Sequence, residues 1–411
     1  MDRSRTDIAL LFTTRIVRMF AYGFLSVILA LYLAEIGMSG KTIGLLFTLT
    51  LVGDAVITLW ITTSADRIGR RRMLAVGAAL MVMAGVVFIF TKNPAVLMLA
   101  AIIGVISPSG YEIGPFLSIE QASLSQLLPG HRRTHVFAWY NLVGSFSTAC
   151  GALVSGWLAH TLQGSGYSVA SSYRVVLLCY ALSGVFLASA FAFVSSSVEI
   201  HATTSSIRTT FGLHRSRNVV FKLASLFAID AFAGGFVVQS LIAYWFHLKF
   251  GIDVELLGRI FFGANILAGV SALLAARIAA RIGLIRTMVF THIPSNILLC
   301  LVPFMPTLPL AILVLLIRFS ISQMDVPTRQ SYTMAVVAPD ERSAAAGVTA
   351  IARSVGAAIS PALSGILLAM PVLVGGIPFV VAGGLKIVYD LLVYHNFQAI
   401  RPPEERAEGQ K

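Results

Sequence analysis

Hydrophobic residues along this chain gather into long runs instead of alternating with polar ones. Apolar stretches occupy residues 8–34, 42–63, 73–91, 95–118, 135–160, 173–196, 221–247, 256–280, 286–305, 308–330, 343–370 and 373–396. At 1.5 Å per residue each is long enough, as a helix, to span about 30 Å of hydrocarbon. The pattern predicts an all-α membrane protein of twelve transmembrane helices. The first run, from near Ile8 past Leu33, is too long for the apolar core of a signal peptide.

Basic residues fall mostly in the short loops between these runs, and alternate loops differ sharply. One side of the membrane collects 18 Lys and Arg, the other 5. That bias predicts cytoplasmic termini and a cytoplasmic middle loop, and a miscounted helix would scramble it. The net charge of +12 is therefore read as a topology signal, not as a nucleic-acid footprint. Of the 411 residues 57% are hydrophobic and only 12% charged, about half the charged fraction of a soluble domain. Cys150, Cys179 and Cys300 lie in apolar runs without metal-ligand spacing, and are expected to be buried small hydrophobes.

The two halves resemble each other. Gly23-Phe24 and Tyr32 recur as Gly235-Phe236 and Tyr244 at an offset of 212. Ala65 to Gly69 recurs as Ala279 to Gly283 at 214, and Ser155-Gly156 as Ser364-Gly365 at 209. Ordered anchors at a near-constant offset indicate a duplicated six-helix unit, a common plan among transporters. The expected organisation is an N-terminal bundle over 1–196, a linker over 197–220, a C-terminal bundle over 221–398 and a tail over 399–411.

With six-plus-six helices and a long middle loop, the chain resembles the major facilitator superfamily. Asp66-Arg67-Ile68-Gly69-Arg70-Arg71 is similar to that superfamily's loop between helices 2 and 3, G-x-x-x-D-R-x-G-R-R, with Thr62 standing at the first glycine. The resemblance implies that Asp66 meets the start of helix 11 and that Arg67, Arg70 and Arg71 brace the cytoplasmic side of an outward-facing state. A helix N-terminus favours such a carboxylate, and Gly69 permits the tight turn. The proline-containing helix-5 pattern of many drug/proton antiporters is absent, as is their helix-4 arginine; Arg318 in helix 10 has a comparable setting.

Ionisable groups inside a membrane helix are costly unless paired or wet, so each is a functional candidate. They concentrate in the helices that line the cavity in this superfamily: Arg15 and Arg18 in helix 1, Glu112 and Glu120 in helix 4, Asp230 in helix 7, and Arg318, Asp325 and Arg329 in helix 10. The apolar cores of helices 3, 6 and 9 carry no acidic or basic residue on this reading. Superposing the repeats sets Arg18 on Asp230 and Glu120 on Arg329, opposite charges at equivalent positions. Arg18–Asp230 and Glu120–Arg329 are expected to pair across the cavity in at least one state, the second as an inner gate; the alternative is that each charge finds a partner in its own half.

Glu112 is the first choice for proton coupling, with Asp230 and Glu120 also candidates. It lies among Pro108, Gly110, Gly114 and Pro115, which should loosen helix 4; the alternative is a glutamate permanently paired with an arginine such as Arg318. Arg318, Gln323, Asp325 and Arg353, with Arg15, Arg18, Tyr111 and Arg329, are candidates to line the substrate site. Tyr32, Tyr244 and Trp245 are further candidates to shape it. Lys386 and Asp390 on peripheral helix 12 read as structural. No nucleotide loop, dinucleotide fingerprint or metal-ligand cluster is found, so neither enzyme chemistry nor a cofactor is expected. The predicted function is secondary transport of a small solute by a monomer in the cytoplasmic membrane. Proton coupling with export is preferred over an uncoupled facilitator or a proton-coupled importer of an anionic metabolite, and a non-transporting sensor is the last alternative.

Overall fold

A computed structural model describes residues 3–112, 116–128, 130–195, 198, 215–338, 341–368 and 376–400. Every regular element among them is helical: α1 Arg3–Glu35, α2 Gly40–Ile68, α3 Arg70–Phe90, α4 Pro94–Ile103, α5 Phe116–Leu127, α6 Gly130–Gly164, α7 Val169–Phe193, α8 Arg217–Gly235, α9 Gln239–Phe250, α10 Val254–Ile282, α11 Leu284–Leu301, α12 Leu308–Ile321, α13 Asp325–Val336, α14 Arg342–Leu368 and α15 Ile377–Phe397. Eleven spans are long and apolar enough to cross a membrane, two of them made from α8 with α9 and α12 with α13. The short α4, with α5, fills the position of the fourth span, which completes the twelve-helix fold.

Three spans are thus broken, the fourth, seventh and tenth, whereas α1 runs unbroken for 33 residues. The break in the fourth is the one that its prolines and glycines predict. Gly110 adopts a φ of +71° there, and Ser107 Oγ donates to the carbonyl of Tyr111 at 2.8 Å, satisfying an acceptor that helix geometry has released.

The chain separates into two compact units. One comprises Met1–Thr203 with Val238–Asn265, the other Thr204–Val237 with Ile266–Lys411. In the first, α1 packs along α6 and α3 along α7; in the second, α8 packs along α14 and α11 along α15. These are equivalent pairs under the sequence repeat, and glycines at equivalent positions make them close. A Cβ on Gly23 would lie 2.0 Å from the carbonyl oxygen of Thr148, and one on Gly235 2.5 Å from that of Ala357.

The loop glycines repeat as well. Gly69 (φ +112°) separates α2 from α3, and Gly283 (φ +90°) separates α10 from α11. Each amide donates back to the alanine four residues earlier, at 3.0 and 2.9 Å. Of the sequence motif here, the side chains of Asp66 and Arg67 lie outside the described residues, as do most of the linker and the tail beyond residue 400. Arg70 donates to Gln126 Oε1 at 3.0 Å and to the carbonyl of Val198 at 3.2 Å, and Arg71 to that of Ala192 at 2.6 Å. The cysteines are free, but Cys150 is exposed and the other two only partly covered. Burial was the wrong expectation, because an apolar side chain in a membrane span gains as much from lipid as from a protein interior.

Because only glycine adopts these backbone angles without strain, Gly69→Ala and Gly283→Ala should each cost about 1–3 kcal/mol. Thermal unfolding of the detergent-solubilised protein should show comparable losses for the two, since both occupy the same turn.

Candidate functional site

In the first unit, α1 brings Arg15 and Arg18 against two glutamates of the fourth span. Arg18 Nη1 and Nη2 lie 2.8 and 2.6 Å from the two oxygens of Glu120, a bidentate pair in which both side chains are fully buried. Arg18 Nε also donates to Glu112 at 2.8 Å, and Arg15 pairs with the other oxygen of Glu112. Glu120 further accepts from Thr14 Oγ1 at 2.9 Å and from the hydroxyl of Tyr140. Arg18 lies over the ring of Phe116 and Arg15 over that of Tyr140, their centroids 4.7 and 4.6 Å away. These rings supply quadrupole attraction in place of lost hydration. Glu112 sits in the unwound part of the span and is the more open carboxylate, its side chain 10% exposed.

The second unit has its own network. Asp230 on α8 receives Lys386 Nζ at 2.5 Å, Arg329 Nη1 at 3.0 Å and Arg353 Nη1 at 3.5 Å. Arg329 also holds Asp325 at 2.9 Å, one turn back on α13. Beside this, the carboxylate of Asp390 lies between His292 Nδ1 at 2.9 Å and Asn296 Nδ2 at 3.0 Å.

Arg18 binds Glu120 and Asp230 binds Arg329, each within its own half, the alternative reading. The physical reason is reach: adjacent positions on neighbouring helices of one bundle lie within a side chain's length, and a guanidinium so placed must be neutralised where it is. Glu112 is paired too, with Arg15 and Arg18 in place of Arg318. Lys386 and Asp390 do more than brace α15, since each reaches a different helix of the network. His292 puts a basic group in the ninth span, which a count of formal charges overlooked.

The repeat still organises these networks, with polarity reversed. The cation of the first pair stands on α1 and its anion on α5; in the second half the anion stands on α8 and the cation on α13. A further guanidinium enters each network from a different helix. Gly144 on α6 makes room for Arg15, whose Nε lies 2.8 Å from where a Cβ would be. Arg353, on α14 at an offset of 209 from Gly144, supplies its own guanidinium to Asp230.

Other expected site residues are placed less centrally. Gln323 lies in the break between α12 and α13, its amide 3.3 Å from Ser271 Oγ. Tyr111 is 43% exposed beside Glu112, and Arg318 is buried one turn before the 322–324 break. Tyr32 is buried, its hydroxyl donating to the carbonyl of Phe88 at 2.6 Å, and Trp245 packs edgewise on Phe246. An apolar groove lined by Ile16, Phe20, Trp139 and Phe146 shares no residue with the ionic network.

Neutral polar residues missed by a reading of charges form a third cluster, inside the first unit. Gln239 Nε2 donates to Ser26 Oγ at 2.8 Å, Asn265 Nδ2 to Gln239 Oε1 at 3.2 Å, and Ser240 Oγ to the carbonyl of Pro108 at 2.7 Å. Four buried polar side chains thereby fasten α9 and α10 to α1 and to the break in the fourth span. Their signal in the sequence was a polar residue with no charge inside an apolar run.

This architecture coincides with a known family. The family model described as Major Facilitator Superfamily matches residues 11–361, with a second match over 231–410. The chain belongs to the major facilitator superfamily. The membrane protein YJR124C of Saccharomyces cerevisiae is 30% identical over 425 residues, covering 96% of this chain and 94% of its own. Among solved structures, the nucleoside transporter NupG superposes with a TM-score of 0.74 at 14% identity, covering 97% of this major facilitator and 100% of its own chain. The D-xylose-proton symporter superposes with a TM-score of 0.71 at 14% identity, over 94% and 97% of the two chains. At such identity the likeness is one of fold. The protein is a multi-pass membrane transporter whose cargo is a small molecule.

If Arg18 and Glu120 are partners, Glu120→Gln should cost about 3–5 kcal/mol by stranding a buried guanidinium. Adding Arg18→Met should recover much of that loss in thermal unfolding. The same Arg18→Met change should bring no recovery to Asp230→Asn.

Proposed function

We propose that this major facilitator is a proton-coupled secondary transporter of a small organic solute, working by alternating access as a monomer in the cytoplasmic membrane with both termini cytoplasmic. The observation that carries the reading is the setting of Glu112. It is the least enclosed carboxylate of the first network, it stands in unwound backbone, and it shares Arg18 with Glu120. A proton on Glu112 would release Arg15, while Arg18 would keep its two bonds to Glu120. The two protonation states therefore hold α1 and the fourth span with different strength, and alternating access needs contacts whose strength differs between states. Glu120 and Asp230 suit the task less, being enclosed by several donors each. The 18-to-5 bias of basic residues supports the orientation, and proton drive is named for one relative in fold, the D-xylose-proton symporter.

Export is the direction favoured by the resemblance of the 66–71 loop to that of many exporters. A second reading, proton-coupled uptake of an anionic metabolite, is favoured by Arg353, the loosest of the three cations on Asp230.

Proteoliposomes with an imposed pH gradient separate these readings. Exchange against protons predicts solute accumulation when the lumen is acid, and cotransport predicts it when the outside is acid. Indifference to the gradient would mean an uncoupled facilitator. Glu112→Gln should abolish the effect of the gradient while leaving solute exchange intact; an unchanged gradient response in that variant removes Glu112 from the coupling.

A further inference from the structure

The second network contains more groups than a structural ion pair requires. Arg353 touches Asp230 at 3.5 Å, against 2.5 and 3.0 Å for Lys386 and Arg329, and 37% of its side chain is open. Three cations, Lys386, Arg329 and Arg353, converge on Asp230, and of these Arg329 also holds Asp325. In the first half, Arg15 and Arg18 balance Glu112 and Glu120. A guanidinium that is loosely held in a region of surplus positive charge is a site for a carboxylate, phosphate or sulfonate, which it grips through paired N–H donors.

The same network contains an imidazole. His292 is buried, and an imidazole is the side chain that changes charge near neutral pH, where carboxylates and guanidiniums do not. The charged and titratable groups brought to it are Lys386, Tyr389 and Asp390 from α15, Asp325 from α13 and Asp230 from α8, with Arg329 of α13 and Arg353 of α14 reaching it through Asp230. When the ring is neutral, its Nδ1–H donates to Asp390, whose full charge then competes with Asp230 for Lys386, one turn away on α15. When Nε2 takes a proton, the imidazolium neutralises Asp390. Lys386 would then stay on Asp230, where it lies, and Arg353 would be the cation displaced.

We propose that the C-terminal half binds an organic anion at Arg353 together with a proton at the His292–Asp390 pair, with Lys386 relaying the charge change between them. This rests on the uptake reading above, because ligands that bind together travel together.

The test uses the purified full-length protein in detergent. Gluconate, tartrate and methanesulfonate stay anionic from pH 5.5 to 8.5 and are compared by thermal shift with glucose and choline. At least one anion should stabilise the protein, and neither glucose nor choline should. Its affinity should fall about tenfold per pH unit once the imidazole loses its proton. In His292→Gln the affinity should no longer depend on pH; Asp390→Asn tests the same pair if that variant does not fold. Arg353→Gln should weaken binding about 10- to 100-fold at every pH, with partial rescue by Arg353→Lys. Stabilisation by none of the three anions, or an unaltered pH slope in both His292→Gln and Asp390→Asn, overturns the proposal. Gradient-driven transport that survives His292→Gln overturns it too, while leaving coupling at Glu112 standing; a wild-type protein indifferent to any gradient overturns the reading beneath it.

Discussion

A guanidinium buried at hydrocarbon depth must find its counter-charge within the reach of its own side chain. Removing one partner of a buried pair leaves a penalty of several kcal/mol, far more than a typical surface contact contributes. Arg18 obeys this constraint through Glu120, and Asp230 through Arg329 and Lys386. Each bundle of the duplicated fold therefore settles its own electrostatics before any solute arrives. The packing of α1 on α6 and of α8 on α14, backbone against backbone at Gly23 and Gly235, supplies the rigid frame that holds these charges in register.

Duplication under this constraint leaves a particular freedom. A salt bridge between two helices remains neutral if both partners exchange sign, so the two copies can diverge by inversion without losing the pair. Here the cation of one copy stands where the anion of the other does. The same freedom extends to the second guanidinium, which enters from α1 as Arg15 in one half and from α14 as Arg353 in the other. Arg15 needs the space that Gly144 leaves, and a side chain at that position would expel it. Position 353 needs no such space because it carries the charge itself.

Much of the fold was legible in the sequence because the physics involved is local. Apolar runs of bilayer length, turn glycines and basic loops each act on neighbouring residues, so the twelve spans and the duplicated unit could be read from spacing alone. The break in the fourth span was legible for the same reason, from Pro108, Gly110 and Pro115. Partner choice was not, because a repeat shows which positions are equivalent without showing which are adjacent. Arg18 and Asp230 are equivalent, whereas Arg18 and Glu120 are adjacent. His292 escaped notice because imidazole carries no formal charge at neutral pH. Ser26, Gln239, Ser240 and Asn265 escaped because a neutral polar residue in an apolar run resembles a harmless interruption.

The distribution of broken spans bears on how such a protein moves. The fourth, seventh and tenth spans are interrupted, while α1, which carries both arginines of the first network, is continuous. Unwound backbone is tolerated at membrane depth only where protein or water satisfies its polar groups. At the fourth span Ser107 and Ser240 do so. A continuous helix bearing fixed cations beside an interrupted one bearing Glu112 gives the network a stiff side and a compliant side. Of the two sides the compliant one has the freedom to adjust, because Arg18 is held to Glu120 by two bonds and Arg15 is penned in by Gly144 and Tyr140. The most open carboxylate of the first network is thus the one on the backbone best able to yield.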